Sequence, residues 1–139
     1  MDMKLILCVD DQGGVAFHHR RQSQDRAVRK DMLQMCGETK LWVSAYTAQQ
    51  FDMEQQSCLR IVNTFEDAKE FCFIEDDSAK AYMNEAEKVI LYHWNRKYPS
   101  DTRIPLPMTG WKRKEYTEFS GYSHEKITKE VYIRRKKGF

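Results

Sequence analysis

The sequence predicts an α/β fold: a single three-layer domain, with a mixed central β-sheet flanked by helices and a C-terminal antiparallel hairpin. Three observations predict it. Leu5-Ile6-Leu7-Cys8-Val9 is a short unbroken apolar run, the pattern of a central strand covered on both faces. Further short apolar runs alternate with helical patterns through the middle of the chain. The last third reads as two arms joined by a turn, the second with strict side-to-side alternation.

The elements follow in order. Asp10 to Gly14 ends the first strand in a turn, where Gly13-Gly14 is free to take positive φ. Val15 to Gln22 is a polar, basic stretch. Ser23 is the expected N-cap of a helix, with Asp25 in its first turn. Val28, Met32, Met35 and Cys36 share one apolar face, and Gly37 is a natural stop. Leu41-Trp42-Val43 is a strand. Thr47-Ala48-Gln49-Gln50 matches a capping box and predicts a helix from Ala48 to about Met53. Leu59–Val62 reads as a strand, Thr64 as the cap of a short helix, and Cys72-Phe73-Ile74 as a strand. Asp77 or Ser78 caps the next helix, and Val89 to Trp94 is again a strand. Trp111 to Phe119 forms the first hairpin arm, Gly121-Tyr122-Ser123 the turn, and Ile127 to Arg134 the return arm.

Composition bounds the function. With 139 residues the chain fits one domain, 1–139. Its 41% hydrophobic content excludes a disordered chain. A net charge of +2 speaks against a dedicated nucleic-acid domain. Cys8, Cys36, Cys58 and Cys72 form no C-x-x-C pair, have no histidine at zinc-finger spacing, and are read as buried thiols. The five apolar residues Leu5–Val9 are too few for a signal peptide or a membrane span, which predicts a cytoplasmic protein without a membrane partner.

From Glu87 onward the residues carry a resemblance. Glu87-Lys88-Val89-Ile90-Leu91-Tyr92 is followed by Ser100-Asp101-Thr102-Arg103-Ile104-Pro105, Trp111, Glu118-Phe119, Ser123-His124 and a strand to Arg135. This order resembles the C-terminal third of bacterial dihydrofolate reductases. The N-terminal strand, glycine-containing loop and helix fit that family as well. The resemblance implies a dihydrofolate reductase-like domain, NADPH as cofactor, Asp25 as the carboxylate that holds and helps protonate a pterin, and Thr47 among the cofactor's phosphate ligands. The sequence also departs from the family. Gln22-Ser23-Gln24 replaces a Leu-Pro stretch, and Ser44-Ala45-Tyr46-Thr47 keeps only the threonine of a Gly-Arg-x-Thr stretch. Glu75-Asp76 stands where a Gly-Gly pair approaches the pyrophosphate, and two carboxylates repel such a group. Phe17-His18-His19-Arg20-Arg21 replaces the loop that closes the reductase site, and the middle is shorter by about twenty residues. These departures predict that NADPH-dependent reduction has been lost. The N-terminal stretch also resembles short bacterial proteins sometimes labelled ribonuclease Z, but the H-x-H-x-D-H motif of those nucleases is absent.

The densest polar cluster is His18-His19-Arg20-Arg21-Gln22-Ser23-Gln24-Asp25-Arg26. Imidazoles serve as general acids and bases near neutral pH, which makes His18 and His19 catalytic candidates beside Asp25. Guanidiniums hold phosphate through paired hydrogen bonds, which makes Arg20, Arg21 and Arg26 ligand-binding candidates with Thr47. The plainer reading is a solvated basic loop with one arginine paired to Asp25 or Glu75, and Asp25 as a cap. Metal-free phosphodiester cleavage would further need His124 beside His18 or His19. Asp10-Asp11 and Glu75-Asp76-Asp77 could share a divalent cation, or act as caps and solvated acids. The basic tail Arg134-Arg135-Lys136-Lys137 suits nucleic acid or a frayed end.

The expected function is a dihydrofolate reductase-like protein that binds a small anionic or nucleotide-like ligand near His18–Asp25. The alternatives are an NADPH-dependent reductase, an RNA-binding or ribonuclease-like protein, and an interaction module without a ligand, a homodimer among the options.

Overall fold

A computed structural model describes residues 3–106 and 108–135. In chain order its elements are β1 (Lys4–Val9), β2 (Gly14–Phe17), β3 (Arg20–Arg21), α1 (Arg26–Cys36), β4 (Leu41–Val43) and α2 (Ala45–Ala48). A 3-10 turn at Met53–Cys58 leads to β5 (Leu59–Ile61) and β6 (Phe71–Phe73). Then come α3 (Ala79–Glu85), β7 (Lys88–His93), β8 (Thr102–Arg103), β9 (Trp111–Phe119) and β10 (Ile127–Arg134). Seven strands form one sheet in the order β5-β4-β6-β1-β7-β10-β9. The neighbours from β5 to β7 run parallel, and β10 runs antiparallel to both β7 and β9. The mixed sheet and the closing hairpin are those the sequence predicts.

The unbroken apolar run of β1 has its cause in the two layers around it. Leu5, Leu7 and Val9 join Val89 and Leu91 of β7 and Ala79 and Met83 of α3 in one core. Ile6 and Cys8 join Ile90 and Tyr92 with Val28, Met32 and Cys36 of α1 in the other. Alternate residues thus enter opposite cores, and a polar residue at any of these places would be stranded. Along α1 the buried residues are Val28, Met32 and Cys36, with Met35 half-buried at the rim of the same core. Gly37 ends the helix at φ +59, a conformation that disfavours side chains.

The structure corrects several local expectations. Asp25, not Ser23, caps α1, its carboxylate accepting from the Ala27 amide. Ser44, not Thr47, caps α2, which ends at Ala48 rather than running to Met53. Asp52 and Gln55 form the capping box, on the 3-10 turn. The segment after Thr64 is a turn held by Phe65 and Ala68, not a helix. Cys58 is exposed, whereas Cys8, Cys36 and Cys72 are buried thiols as expected. The basic stretch Val15–Gln22 forms β2 and β3, and β2 pairs with both β3 and β8 in a separate three-stranded antiparallel sheet. Lys136 and Lys137 of the basic tail lie outside the described residues.

Candidate functional site

β2 and β3 are joined by a two-residue turn. Phe17 pairs with Arg20, leaving His18 and His19 at the tip with φ of 50 and 63. Tight hairpins need positive φ at both central residues, and histidine is among the side chains that tolerate it best after glycine. The His18 ring stacks on Phe17 with centroids 3.9 Å apart, and its amide donates to Asp101 at 3.0 Å.

Under this hairpin Asp10 ties three segments together. Its carboxylate accepts from the amides of Gln12 (2.8 Å), Gly14 (2.7 Å) and Tyr98 (3.3 Å), and from the Gln22 side-chain amide (3.0 Å). Burial works against the charge, but the Gly14 and Gln12 amides, Gln22 and Tyr98 outweigh it and hold the carboxyl below its ordinary value. Gly14 is required here. A Cβ would meet Gln22 Nε2 at 2.6 Å and Asp10 Oδ2 at 2.7 Å.

The result is a cavity of about 530 Å³ lined by Phe17, His18, Arg20, Arg21, Gln22, Tyr98 and Pro99. Gln22 Nε2 donates to Asp10 and to the Pro99 carbonyl, which fixes the amide's orientation. Its Oε1 is buried and has no partner among the described residues. A buried acceptor left unpaired costs about 1–3 kcal/mol. Arg20 is exposed and forms no ion pair among the described residues.

Arg21 is committed on its other side. Its Nε donates to both oxygens of Glu75 at 3.0 and 3.2 Å, its Nη2 to the Tyr46 carbonyl, and its guanidinium lies 4.3 Å from the Tyr46 ring. Gln50 donates to the same carboxylate at 2.9 Å. Burial raises the Glu75 carboxyl above its ordinary value, opposed by Arg21, Thr47 and Gln50. Thr47 is buried in α2, its hydroxyl accepting from Ser44 at 3.1 Å.

Asp25 sits in a closed network. It accepts from the amides of Ala27 (2.8 Å), Tyr122 (3.0 Å) and Ser123 (2.9 Å), from the Ser123 hydroxyl (3.2 Å), and from His124 Nδ1 (2.9 Å). Burial opposes its charge, yet the Tyr122 amide, His124, and the Ser123 and Ala27 amides hold the carboxyl far below the usual range. Asp25 is 2% exposed and His124 3%. The His124 ring stacks on Trp94, and its Nε2 lies 3.0 Å from Ser23 Oγ and 3.1 Å from Tyr98 Oη.

Of the sequence candidates, the fold gathers His18, Arg20 and Arg21 on one cavity wall. His19 is exposed at the hairpin tip, Arg26 lies exposed over Tyr122, and Thr47 faces Glu75. Asp25 lies outside the cavity lining, joined to it through His124 and Tyr98. His124 does not approach His18 as an open partner, because its ring nitrogens face Asp25, Ser23 and Tyr98. Among the described residues no three His, Cys, Asp or Glu side chains are grouped to hold a metal ion, so Asp10 and Glu75 do not converge on a cation. Sequence reasoning named Gln22 only as a member of the polar cluster and missed Tyr98 and Pro99, whose roles depend on contacts between distant segments.

No family model matches the sequence, and no curated protein matches it. Among solved structures, the fold is similar to a dihydrofolate reductase from Enterococcus faecalis described as complexed with NADP(H) and RAB-propyl. The TM-score is 0.66 at 13% sequence identity, and the match covers 96% of each chain. No helix among the described residues is long and apolar enough to cross a membrane. The molecule therefore has a dihydrofolate reductase-like fold, with a mixed sheet between helical layers.

Proposed function

We propose that this chain uses a dihydrofolate reductase-like scaffold to bind a small anionic, nucleotide-like ligand in the cavity under the β2–β3 hairpin, and that it does not carry out NADPH-dependent reduction. The observation that carries the reading is the cavity wall itself. It combines an unpaired guanidinium on Arg20, the His18 imidazole, the Tyr98 and Phe17 rings, and the orphaned Gln22 Oε1. Arg20 suits a phosphate or carboxylate, the rings suit a flat heterocycle, and Gln22 Oε1 calls for an N–H or O–H donor on that heterocycle.

The loss of reduction is supported at Glu75. The place that the resemblance gives to the cofactor's pyrophosphate holds a buried carboxylate bound to Arg21 and Gln50. A pyrophosphate entering there would meet like charge and would have to separate this pair. Asp25, with its acceptor sites filled by the chain's own donors, has a positioning role: it orients His124 behind Tyr98.

Calorimetric titration with adenosine monophosphate and, separately, with NADPH tests this reading. Saturable binding of the monophosphate, weakened in Arg20→Ala, together with no consumption of NADPH in the presence of dihydrofolate, is the expected result. Turnover of NADPH would overturn it.

A further inference from the structure

Ser23, His124 and Asp25 form a continuous hydrogen-bonded chain. Ser23 Oγ lies 3.0 Å from His124 Nε2, and His124 Nδ1 lies 2.9 Å from Asp25 Oδ2. An ionised Asp25 only accepts, so Nδ1 carries the proton it donates. In the neutral ring Nε2 then presents its lone pair to Ser23. Trp94 stacked on one face and the tight loop at Gly121 hold the imidazole in this orientation. A Cβ on Gly121 would come within 2.5 Å of Asp25 Oδ2. Asp25 and His124 are buried, whereas Ser23 is only half-buried. Nucleophile, base and a buried orienting carboxylate in this order are the arrangement that activates a hydroxyl for acyl transfer.

We propose that Ser23 is an acyl-transfer nucleophile, with His124 as its base and Asp25 as the positioning residue, acting on a carboxylic ester that carries an anionic group. Ser23 Oγ attacks the ester carbonyl carbon and its proton passes to His124 Nε2. The tetrahedral intermediate collapses, the ester C–O bond breaks, and the leaving alcohol takes the proton from Nε2. Water, deprotonated by the same nitrogen, then releases the acid and restores Ser23. The amides of Gln24 and Arg26 have no acceptor among the described residues, which leaves them free to donate to the oxyanion. Tyr98 Oη reaches the same Nε2 from the cavity wall, which places the site beside Gln22 and Arg20. The anionic group of the substrate rests on the ligand reading above; the nucleophile does not.

The test is exposure of the folded protein to a fluorophosphonate, which phosphonylates only activated hydroxyls, followed by intact-mass and peptide analysis. One adduct at Ser23, absent in Ser23→Ala and retained in Ser57→Ala, which removes an exposed hydroxyl of the 3-10 turn, is expected. Hydrolysis of p-nitrophenyl acetate should fall by about 100-fold or more in Ser23→Ala. Because Tyr98 still bonds His124 in that variant, its urea midpoint should stay near that of the parent and report that it folds. No adduct on the parent protein, an adduct elsewhere, or an adduct that persists in Ser23→Ala would overturn the nucleophile. The hemisuccinate ester of p-nitrophenol should be preferred over the acetate, and Arg20→Ala should abolish that preference. An unchanged preference would overturn the anionic substrate alone and leave the nucleophile standing.

Discussion

Replacing Asp25 by Ala should be among the most destabilising single changes in this chain. The side chain caps α1 through the Ala27 amide, and a lost cap of this kind costs about 1 kcal/mol. It also accepts from the part-buried amides of Tyr122 and Ser123, each bond to a charged group contributing about 1.5–3 kcal/mol at most, less where water replaces it. His124 loses the acceptor that sets its tautomer. These losses share one site and are not additive, so about 3–5 kcal/mol is expected. That is a large share of the roughly 5–15 kcal/mol by which small domains are stable. Urea unfolding followed by tryptophan fluorescence measures it, with the slope unchanged and the midpoint lowered. Asp25→Asn should lie between, since it keeps one acceptor oxygen but turns an NH2 toward donors. A loss below about 1 kcal/mol in Asp25→Ala would refute the reasoning, because a carboxylate held in reserve for a ligand is dispensable for folding.

Further expectations follow from the same geometry. Asp25 and Asp10 have carboxyls held below their unfolded value, so their stabilisation is complete above the ordinary carboxylate range and is lost as pH falls through the folded values. Thermal stability should therefore fall in acid from about pH 4 downward, and less so in Asp25→Asn. Gly14→Ala should lower stability and ligand affinity together, since the added methyl displaces Gln22 from Asp10; an unaltered melting temperature would contradict this. Glu75→Gln should strengthen binding of an anion by several-fold, because it frees Arg21 at the cavity wall; calorimetry with adenosine monophosphate reads the change. Of the four thiols only Cys58 should react quickly with a disulfide reagent. Burial pushes the Cys36 thiol up to about 11 and Cys72 to about 12, and Cys8 is raised as well.

The layered α/β plan was legible in the sequence because periodicity is a local property. The run Leu5–Val9, the face of Val28, Met32 and Cys36, and the alternation of Ile127 to Arg134 each report how many sides of an element are covered. Caps were harder. Ser23, Asp25, Ser44 and Thr47 are all residues that cap helices, and tertiary contacts chose among them. Asp25 won at α1 because the Tyr122–His124 loop draws its carboxylate to the helix entrance, which frees Ser23 for His124. The basic stretch from His18 to Arg21 carried the expectation of an anion site by composition. An arginine paired with Glu75 was one of two pairings the sequence offered, and the fold makes it with Arg21; the contacts of Gln22, Tyr98 and Pro99 join segments separated by dozens of positions. Such contacts leave no periodic trace, because a hydrogen bond between distant residues constrains two side chains and not the pattern around either. The sequence by itself thus determined the sheet, its covering helices and the chemistry of the hairpin. Only the tertiary structure decided which of those charged groups face a cavity and which are spent on one another.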